Sequence, residues 1–308
     1  MARIVISEFM DERAVAQLAA AHDVLYEPKL VANTGRLVLE AATADAMIVR
    51  NLTQVRGHLL AALARCKVVG RLGVGLDNID VAGCEAKGIQ VIPAIGANAL
   101  SVAEYVITSA MLLLRGAYSS SALVASGQWP RAALGNGRET AGQTLGIIGF
   151  GSIGQTTARL AKGLGMHVIA FDAMLAAKAP VFAQTGVRFI GLDELVATAD
   201  VVSLHVPLVD DTRNLFNAAR IASMKKNAVL INTSRGHMVD LMAVTAALRT
   251  GQLGGAAIDV FDTEPVAASA ELQNCPNLLL TPHISGVSAQ SNERVSFMIA
   301  EQVLKALT

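Results

Sequence analysis

Residues 144–172, TLGIIGFGSIGQTTARLAKGLGMHVIAFD, restrict the possible folds more than any other part of the chain. An apolar run leads directly into Gly149, Gly151 and Gly154, and a helix-length stretch and a second apolar run follow. A turn with this G-x-G-x-x-G spacing, between a strand and a helix, is typical of dinucleotide-binding βαβ units. The segment therefore predicts two parallel strands joined by a helix that begins at the glycines.

The same segment indicates which nucleotide binds. Gly149 permits the tight turn, Gly151 lets the backbone approach a pyrophosphate, and Gly154 lets the helix pack closely on its strand. The second strand ends in Asp172, about 20 residues further on, where a carboxylate accepts hydrogen bonds from the ribose hydroxyls. A carboxylate repels the 2′-phosphate of NADP, and no arginine follows Asp172 directly. We therefore expect NAD as the cofactor.

Short apolar runs alternate with helix-length stretches along most of the chain, which is typical of α/β proteins with parallel sheets. Before the glycine fingerprint the strand candidates are RIVIS, VLYE, AMIVR, CKVVGRL and IQVIP. From residue 144 they are TLGIIGFG, HVIAFD, VVSLHVP, NAVLINTS, GGAAIDVF and NLLLTPH, the number expected for a complete dinucleotide-binding sheet. Helices are predicted over about 101–115, from there to about 126, and over about 289–307. The pattern predicts two sheets, the smaller one first.

Composition excludes several functional classes. The chain has 25 basic and 25 acidic side chains, so its net charge gives no reason to expect nucleic acid or an acidic membrane as a partner. The apolar run VITSAMLLL is far shorter than the ~20 residues of a membrane span. Cys66, Cys84 and Cys275 lack the spacing of a metal or redox site. We expect a cytoplasmic protein with no metal and with reduced cysteines.

Three successive strand candidates from the C-terminal part of the chain end in Arg235, Glu264 and His283. Open α/β sheets bind ligands at the carboxyl ends of their strands, so these side chains could form one site. Imidazole exchanges protons near neutral pH, and a planar guanidinium matches the geometry of a carboxylate. Each residue taken alone also has a purely structural explanation. His205 and His237 are competing histidines, although no carboxylate in the sequence is evidently placed to orient His205.

Five segments together resemble the D-2-hydroxyacid dehydrogenase family, and most closely its phosphoglycerate-dehydrogenase branch: VGRLGVGLDNIDVAGCEAKGIQV, GFGSIG, NTSRGHMVD, GAAIDVFDTEP and TPHISG. They occur in the family's order, and the resemblance covers nearly the whole chain. It implies an α/β fold of two doubly wound domains. A flavodoxin-like substrate-binding domain would comprise residues 1–99 and 286–308, and a Rossmann NAD-binding domain, residues 100–285, would be inserted in it. Hinges would lie near residues 97–101 and 285–287.

The resemblance also implies roles for single residues. His283 would be the acid/base, Glu264 its orienting partner, and Arg235 the anchor of the substrate carboxylate and C2 oxygen. The implied contacts to NAD are Gly149, Gly151, Ser152, Ile153, Gly154, Asp172, Val206, Thr233, Ser234, Arg235, Asp259, His283 and Gly286. The implied contacts to the substrate are Arg50, Asn51, Arg71, Val74, Gly75, Arg235 and His283. The family dimerises through the NAD-binding domain, so we expect a homodimer, in which residues 106–131 contribute to the interface and Arg131 could reach the partner.

The reaction implied is the NAD-dependent interconversion of a small D-2-hydroxy acid and its 2-oxo acid. The stretch IVRNLTQVR places Arg50, Asn51 and Arg56 after a strand, as in the loop that holds the distal phosphate of 3-phosphoglycerate in that branch. If Arg50 faces the substrate, the substrate carries a second anion. If the loop only contacts solvent, it gives no evidence for a second anion on the substrate. The opening IVISEFMDE is similar to family members that act on (S)-3-sulfolactate.

Other functions remain open at this point. They are reduction of hydroxypyruvate or glyoxylate, and NAD(H) sensing by a non-catalytic protein of the same fold. Formate dehydrogenases share the fold but pair their histidine with glutamine, where this chain has Glu264.

Overall fold

The chain divides into two units in the computed structural model, which describes residues 1–308 apart from the side chain of Ser119. The smaller unit comprises residues 1–98 and 287–308, and the larger unit comprises residues 99–286. Each unit has its own sheet and its own core.

The smaller unit is built on a parallel sheet in the order β2-β1-β3-β4-β5. This is the flavodoxin-like order, in which the direction of winding reverses between β1 and β3. The strands are β1 (Arg3–Ile6), β2 (Asp23–Tyr26), β3 (Ala46–Val49), β4 (Val68–Arg71) and β5 (Gln90–Pro93). The helices that follow β1 to β4 include α1 (Glu12–Ala19), α2 (Thr34–Ala41), α3 (Gly57–Ala62) and α4 (Val81–Ala86).

The strands of this sheet are continuously apolar because helices cover both of its faces. All four residues of β3 are buried. Ile4, Ile6 and Ile48 pack on one face of the sheet, and Val5 and Met47 pack on the other. The alternation of side chains along parallel strands thus fills two cores from one sheet.

The larger unit contains a seven-stranded parallel sheet in the order β12-β11-β10-β9-β6-β7-β8. Read from its other end, this is the Rossmann order with one additional edge strand. The strands are β6 (Thr144–Ile148), β7 (His167–Phe171), β8 (Arg188–Phe189), β9 (Val201–Leu204), β10 (Ala228–Asn232), β11 (Leu253–Ile258) and β12 (Leu278–Leu280). The prediction of two doubly wound α/β sheets is confirmed. Strand β8, with only two residues, was missed because it is too short to show a pattern.

Helices of the larger unit cover both faces of its sheet. They are α5 (Ala99–Arg115), α6 (Ser121–Ala125), α7 (Arg131–Leu134), α8 (Ser152–Gly163), α9 (Pro180–Thr185), α10 (Leu192–Thr198), α11 (Ala218–Ser223) and α12 (Leu241–Thr250). The last helix of the chain, α13 (Ala289–Leu307), belongs to the smaller unit. No helix among the described residues has both the length and the apolar character that crossing a membrane requires.

The second predicted helix, from the end of α5 to about residue 126, is wrong in its length. A 3₁₀ turn over Tyr118–Ser120 and the single-turn helix α6 replace it. Gly116 and Gly127, with φ of 67° and 84°, bound this segment in the left-handed conformation that ends helices. The apolar composition of the segment suggested a longer helix than its glycines permit.

Candidate active site

The glycine turn joins β6 to α8 at the point where the winding of the larger sheet reverses. Gly149 has φ of 94°, and a Cβ there would lie 2.5 Å from the carbonyl oxygen of His205. A Cβ on Gly154 would overlap the carbonyl oxygen of Gly149. At Gly151, the N-cap of α8, no atom lies within 4 Å of the position a Cβ would take. The first and third glycines are thus required by packing, and the second leaves open space at a helix N-terminus.

Asp172 is tied to this turn by its carboxylate. One oxygen accepts a hydrogen bond from the backbone N–H of Phe150 at 2.7 Å, and the other accepts from Met174 and Leu175 at 2.8 and 3.1 Å. The residue is partly exposed, and each oxygen keeps acceptor capacity for a ribose hydroxyl. The open helix N-terminus and this carboxylate together fit the pyrophosphate and adenosine ribose of NAD.

His283 and Glu264 form a close pair beyond the carboxyl ends of β11 and β12. Nδ1 of His283 lies 2.7 Å from Oε2 of Glu264, and Oε1 of Glu264 accepts from the N–H of Phe261 at 3.0 Å. The two side chains are 47% and 36% exposed, so both remain accessible. With a proton on Nδ1 directed at the carboxylate, Nε2 is the nitrogen left to exchange a proton with a ligand.

The backbone around His283 is held by Asp259, which is completely buried. One carboxylate oxygen accepts from the Thr281 hydroxyl at 2.6 Å and from Ile284 N–H at 2.9 Å, and the other accepts from Ser285 N–H at 2.8 Å. His283 itself has φ of 55°, a left-handed conformation that costs a non-glycine residue about 1–2 kcal/mol. Asp259 offsets this cost by pinning both sides of the histidine. Sequence reasoning missed this bracing role, and the predicted contact of Asp259 with NAD stays a prediction.

Arg235 follows β10, in a turn that packs against the segment carrying Glu264. Asn232 fixes the turn, since its side chain donates to the carbonyl of Arg235 at 2.8 Å and accepts from Ser234 N–H at 3.0 Å. A Cβ on Gly236 would overlap the backbone of Phe261, so the two segments touch there. The Arg235 guanidinium is partly buried and donates to the carbonyl of Ser234 at 2.6 Å. The structure thus brings the three predicted catalytic residues to one edge of one sheet.

The remaining predicted cofactor contacts lie around the same edge. Ser152 is exposed at the start of α8, and Ile153 and Gly286 are partly buried. The Ser234 hydroxyl already donates to the carbonyl of Leu204 at 2.7 Å, whereas Oγ1 of Thr233 is buried without a hydrogen-bond partner among the described residues. Val206 packs beside Gly149. Their contacts with NAD stay predictions.

The competing histidines have different surroundings. Nδ1 of His205 is buried and has no hydrogen-bond partner among the described residues, and Nε2 lies 2.9 Å from the Ser203 hydroxyl. Burial lowers the pKa of His205 to about 3, so this ring is neutral at physiological pH. His237 is exposed, and its Nδ1 is 3.7 Å from Asp262, too far for a hydrogen bond. The part of the chain that the structure describes contains no group of His, Cys, Asp and Glu arranged to hold a metal.

In the smaller unit, the loop after β4 offers two free backbone donors. The N–H groups of Val74 and Gly75 donate to no acceptor among the described residues. Arg71 bends back over its own loop, donating to the carbonyl of Leu72 at 3.1 Å and filling the space that a Cβ on Gly73 would need. The guanidinium of Arg56 donates to the carbonyl of Asp77. Arg56 therefore braces this loop.

Arg50 follows β3 in the same unit and is a partly buried cation. Its Nη2 donates to Oδ1 of Asn292 on α13 at 2.8 Å, and its guanidinium lies 5.8 Å from the ring centre of Phe9. No acidic side chain of the described residues forms a salt bridge with it, and burial lowers its pKa. Asn51 beside it is exposed. Sequence reasoning missed Asn292, because no local pattern links residues so far apart in the chain.

Comparison with protein families gives one match over most of the larger unit. Residues 107–285 match the model described as "D-isomer specific 2-hydroxyacid dehydrogenase, NAD binding domain". This range contains the glycine turn, Asp172, Arg235, Glu264 and His283.

Whole-chain comparisons extend the match to the smaller unit. The chain is 48% identical over 307 residues to an (S)-sulfolactate dehydrogenase of Chromohalobacter salexigens, covering 100% of this chain and 99% of that protein. It is 40% identical over 260 residues to a D-3-phosphoglycerate dehydrogenase of Haemophilus influenzae, covering 83% of this chain and 62% of the longer relative. The crystal structure of the TT0316 protein from Thermus thermophilus superposes with a TM-score of 0.86 at 30% identity, over 99% of this chain and 96% of that one.

Proposed function

The chain belongs to the D-isomer specific 2-hydroxyacid dehydrogenase family, and from this premise we propose that its substrate pair is (S)-3-sulfolactate and sulfopyruvate. The reaction class is NAD-dependent oxidoreduction of a D-2-hydroxy acid, as the family model and the named relatives establish. The identity of this acid, and the residues that recognise its second anion, are proposed below.

The acid/base part of the reaction follows from the His283–Glu264 pair. NAD, when bound at the glycine turn, supplies the acceptor for the hydride that leaves C2. In the oxidation direction Nε2 of His283 takes the proton of the C2 hydroxyl while Glu264 holds the proton on Nδ1 at 2.7 Å. Glu264 thereby stabilises the imidazolium that forms. In the reduction direction the same nitrogen returns the proton to the C2 oxygen.

The common part of the substrate, a carboxylate next to C2, calls for fixed donors. The guanidinium of Arg235 lies at the same sheet edge as the acid/base pair, and its planar donors match a carboxylate and the C2 oxygen. In the smaller unit, the N–H groups of Val74 and Gly75, which donate to no acceptor among the described residues, are two further donors that suit a carboxylate. None of these donors selects among 2-hydroxy acids.

The choice of substrate in this proposal rests on the burial and the partners of Arg50. A partly buried cation that forms no salt bridge among the described residues is costly, because the nearby charge of Glu8 offsets its desolvation only in part. An anionic group on the substrate would bond directly to the guanidinium and offset the rest. Since the relative that matches this chain over its full length at 48% identity is named for sulfolactate, a sulfonate is the anion that we propose.

The test compares 2-oxo acids with and without a second anion. NADH oxidation is measured with sulfopyruvate, 3-phosphohydroxypyruvate, hydroxypyruvate and glyoxylate, and sulfopyruvate is expected to give the highest kcat/KM. Replacing Arg50 with Gln should raise the KM ratio of sulfopyruvate to glyoxylate about 10–100-fold, the worth of a charge-assisted hydrogen bond. Arg36→Gln is the matched control, because Arg36 forms surface ion pairs in the same unit.

Other outcomes would change the assignment. A higher kcat/KM for 3-phosphohydroxypyruvate would replace sulfolactate with 3-phosphoglycerate. Highest activity with hydroxypyruvate or glyoxylate, together with an unchanged KM ratio in Arg50→Gln, would remove the second anion from the proposal.

We also propose that the chain forms a homodimer through its larger unit. Large apolar side chains between residues 100 and 129 are exposed, and they are Leu100, Met111, Tyr118, Leu123, Val124 and Trp129. Several large exposed apolar side chains within one stretch of the chain favour an association surface there. Sedimentation of the purified chain should give a dimer mass, and a monomer at micromolar concentration would contradict it. The cytoplasmic location and the reach of Arg131 to a partner stay predictions.

A further inference from the structure

The loop of residues 50–53 in the smaller unit is shaped by a buried carboxylate from the neighbouring strand. Glu8 lies just after β1 and is 3% exposed. Its Oε1 accepts from the backbone N–H groups of Arg50 and Thr53 at 2.8 and 3.0 Å, and its Oε2 accepts from Leu52 at 3.0 Å. One carboxylate thus satisfies three donors of a loop that has no regular secondary structure.

The same loop is fixed on its carbonyl side. The side-chain amide of Asn78, which is 5% exposed, donates to the carbonyls of Arg50 and Thr53 at 3.1 and 2.7 Å. The hydroxyls of Ser7 and Thr53 share a hydrogen bond of 2.8 Å. With donors and acceptors both paired, the backbone of Arg50 has little freedom to move.

The position of the loop also matters. Strands β1 and β3 flank the point where the winding of the smaller sheet reverses, and Glu8 and Arg50 follow these two strands. Ligands of open α/β sheets bind outside the carboxyl ends of strands at such a point. A carboxylate buried here therefore lies beside a surface that the topology favours for ligand binding.

Glu8 forms no hydrogen bond with the guanidinium of Arg50. A direct salt bridge would occupy the guanidinium donors, but both oxygens of Glu8 bond to backbone N–H groups. The guanidinium instead contacts the neutral amide of Asn292 and the ring of Phe9. Glu8 therefore supplies a negative charge near the cation without using the donors that would bind an anion.

We propose that Glu8 is a positioning residue for recognition of the substrate's second anion: it fixes the loop of residues 50–53 so that the donors of Arg50 stay available to that anion. This inference rests on the proposed function, in which Arg50 binds the second anion. The plainer alternative is that Glu8 only stabilises the fold, as many buried, hydrogen-bonded carboxylates do.

The test is Glu8→Gln, which keeps the size of the side chain but removes its charge and turns one acceptor into a donor. The KM ratio of sulfopyruvate to glyoxylate should rise about 10-fold or more, because the loop that carries Arg50 relaxes. Loss of stability alone would lower the amount of active enzyme and leave this ratio unchanged. The ratio therefore distinguishes positioning from a structural role.

Asp45→Asn is the matched control in the same unit. Asp45 lies before the amino end of β3, is 15% exposed, and accepts from the N–H of Arg3 at 2.8 Å. This variant should lower the unfolding temperature without changing the KM ratio. If Glu8→Gln does not fold, Glu8→Asp replaces it: the charge remains but the shorter side chain cannot reach all three donors, and the ratio should rise about 3-fold or more.

The outcomes separate this inference from the proposed function. A raised ratio in Arg50→Gln with an unchanged ratio in both Glu8 variants would overturn the role of Glu8 and leave the second anion in place. An unchanged ratio in Arg50→Gln would overturn both.

Discussion

Two histidines of the larger unit follow strands of the same sheet, and the structure gives them opposite properties. His283 is 47% exposed and bonds to Glu264, so its second nitrogen is free to exchange a proton. His205 bonds to the Ser203 hydroxyl, and its other ring nitrogen is buried and unpaired among the described residues. Both stand close to a proline in the sequence. What separates them is the direction of the side chain and the presence of a carboxylate, which are tertiary properties.

The backbone explains this difference. The backbone N–H of His205 donates to the carbonyl of Ile148 at 2.7 Å, and its ring lies 2.9 Å from the hydroxyl of Ser203, two residues earlier on β9. His283 has φ of 55° and is pinned by Asp259 through its neighbours Ile284 and Ser285. The ring at this position is 47% exposed. The two histidines therefore differ both in the backbone conformation after their strands and in whether a carboxylate lies within hydrogen-bond distance.

The largest effect is expected from His283→Ala. Loss of the acid/base should lower kcat about 10²–10⁴-fold, because proton transfer to a positioned side chain contributes that much. NADH affinity, measured by fluorescence titration, should stay nearly unchanged. His237→Ala is the matched control, since His237 is also exposed and near an acid but forms no hydrogen bond with it. Turnover near normal in His283→Ala would reject the assignment.

A smaller effect is expected from Glu264→Gln. The amide can still hold Nδ1 of His283 but no longer stabilises the imidazolium, so kcat should fall about 10–10²-fold, the worth of one charge-assisted hydrogen bond. Glu271→Gln serves as control, because Glu271 is an exposed acid further along the same part of the chain, bonded to Ser269. Equal steady-state rates for Glu264→Gln and wild type would show that the pair is only structural.

The smallest effect on activity is expected from His205→Gln, which should keep kcat within about 3-fold because the ring takes no part in proton transfer. Its effect should be on stability. The folded pKa is about 3 and the ordinary value is 6.5, so below about pH 6.5 the unfolded state binds a proton that the folded state does not. The free energy of unfolding should therefore decrease as the pH falls from 6.5 toward 3, by up to about 1.4 kcal/mol per pH unit from this group.

Urea unfolding at pH 7, 6 and 5 would measure this contribution. The variant should lose less stability over this range than the wild type. If both lose the same stability, folding does not lower the pKa of His205, and the contrast with His283 fails.

Local features of the chain were predictable because their causes are local. The strand, glycine turn and helix of residues 144–163 follow from sequence spacing, and the structure shows why Gly149 and Gly154 cannot carry a Cβ. The predicted closing helix agrees with α13. Strand β8 and the break after α5 were not predicted, since two residues give no periodicity and single glycines only decide where a helix stops.

The site was predictable only in its residue types. That Arg235, Glu264 and His283 end successive strands is visible in the sequence, and parallel topology brings such ends to one edge. The buried braces were not visible. Asp259 fixes the His283 turn and Glu8 fixes the Arg50 loop, in each case by accepting backbone hydrogen bonds from residues distant in the chain. Nothing near Asp259 or Glu8 in the sequence indicates which distant donors they meet.

The sequence alone determined the two parallel α/β sheets, the glycine turn for NAD and the residue types of the acid/base site. Hydrophobic periodicity and glycine spacing act over a few residues and can be read directly. The tertiary structure decided that His283 and not His205 meets a carboxylate, and that Arg50 is a partly buried cation whose donors are left to a neutral amide. These properties depend on burial and on partners tens to hundreds of residues away, which only the folded chain brings together.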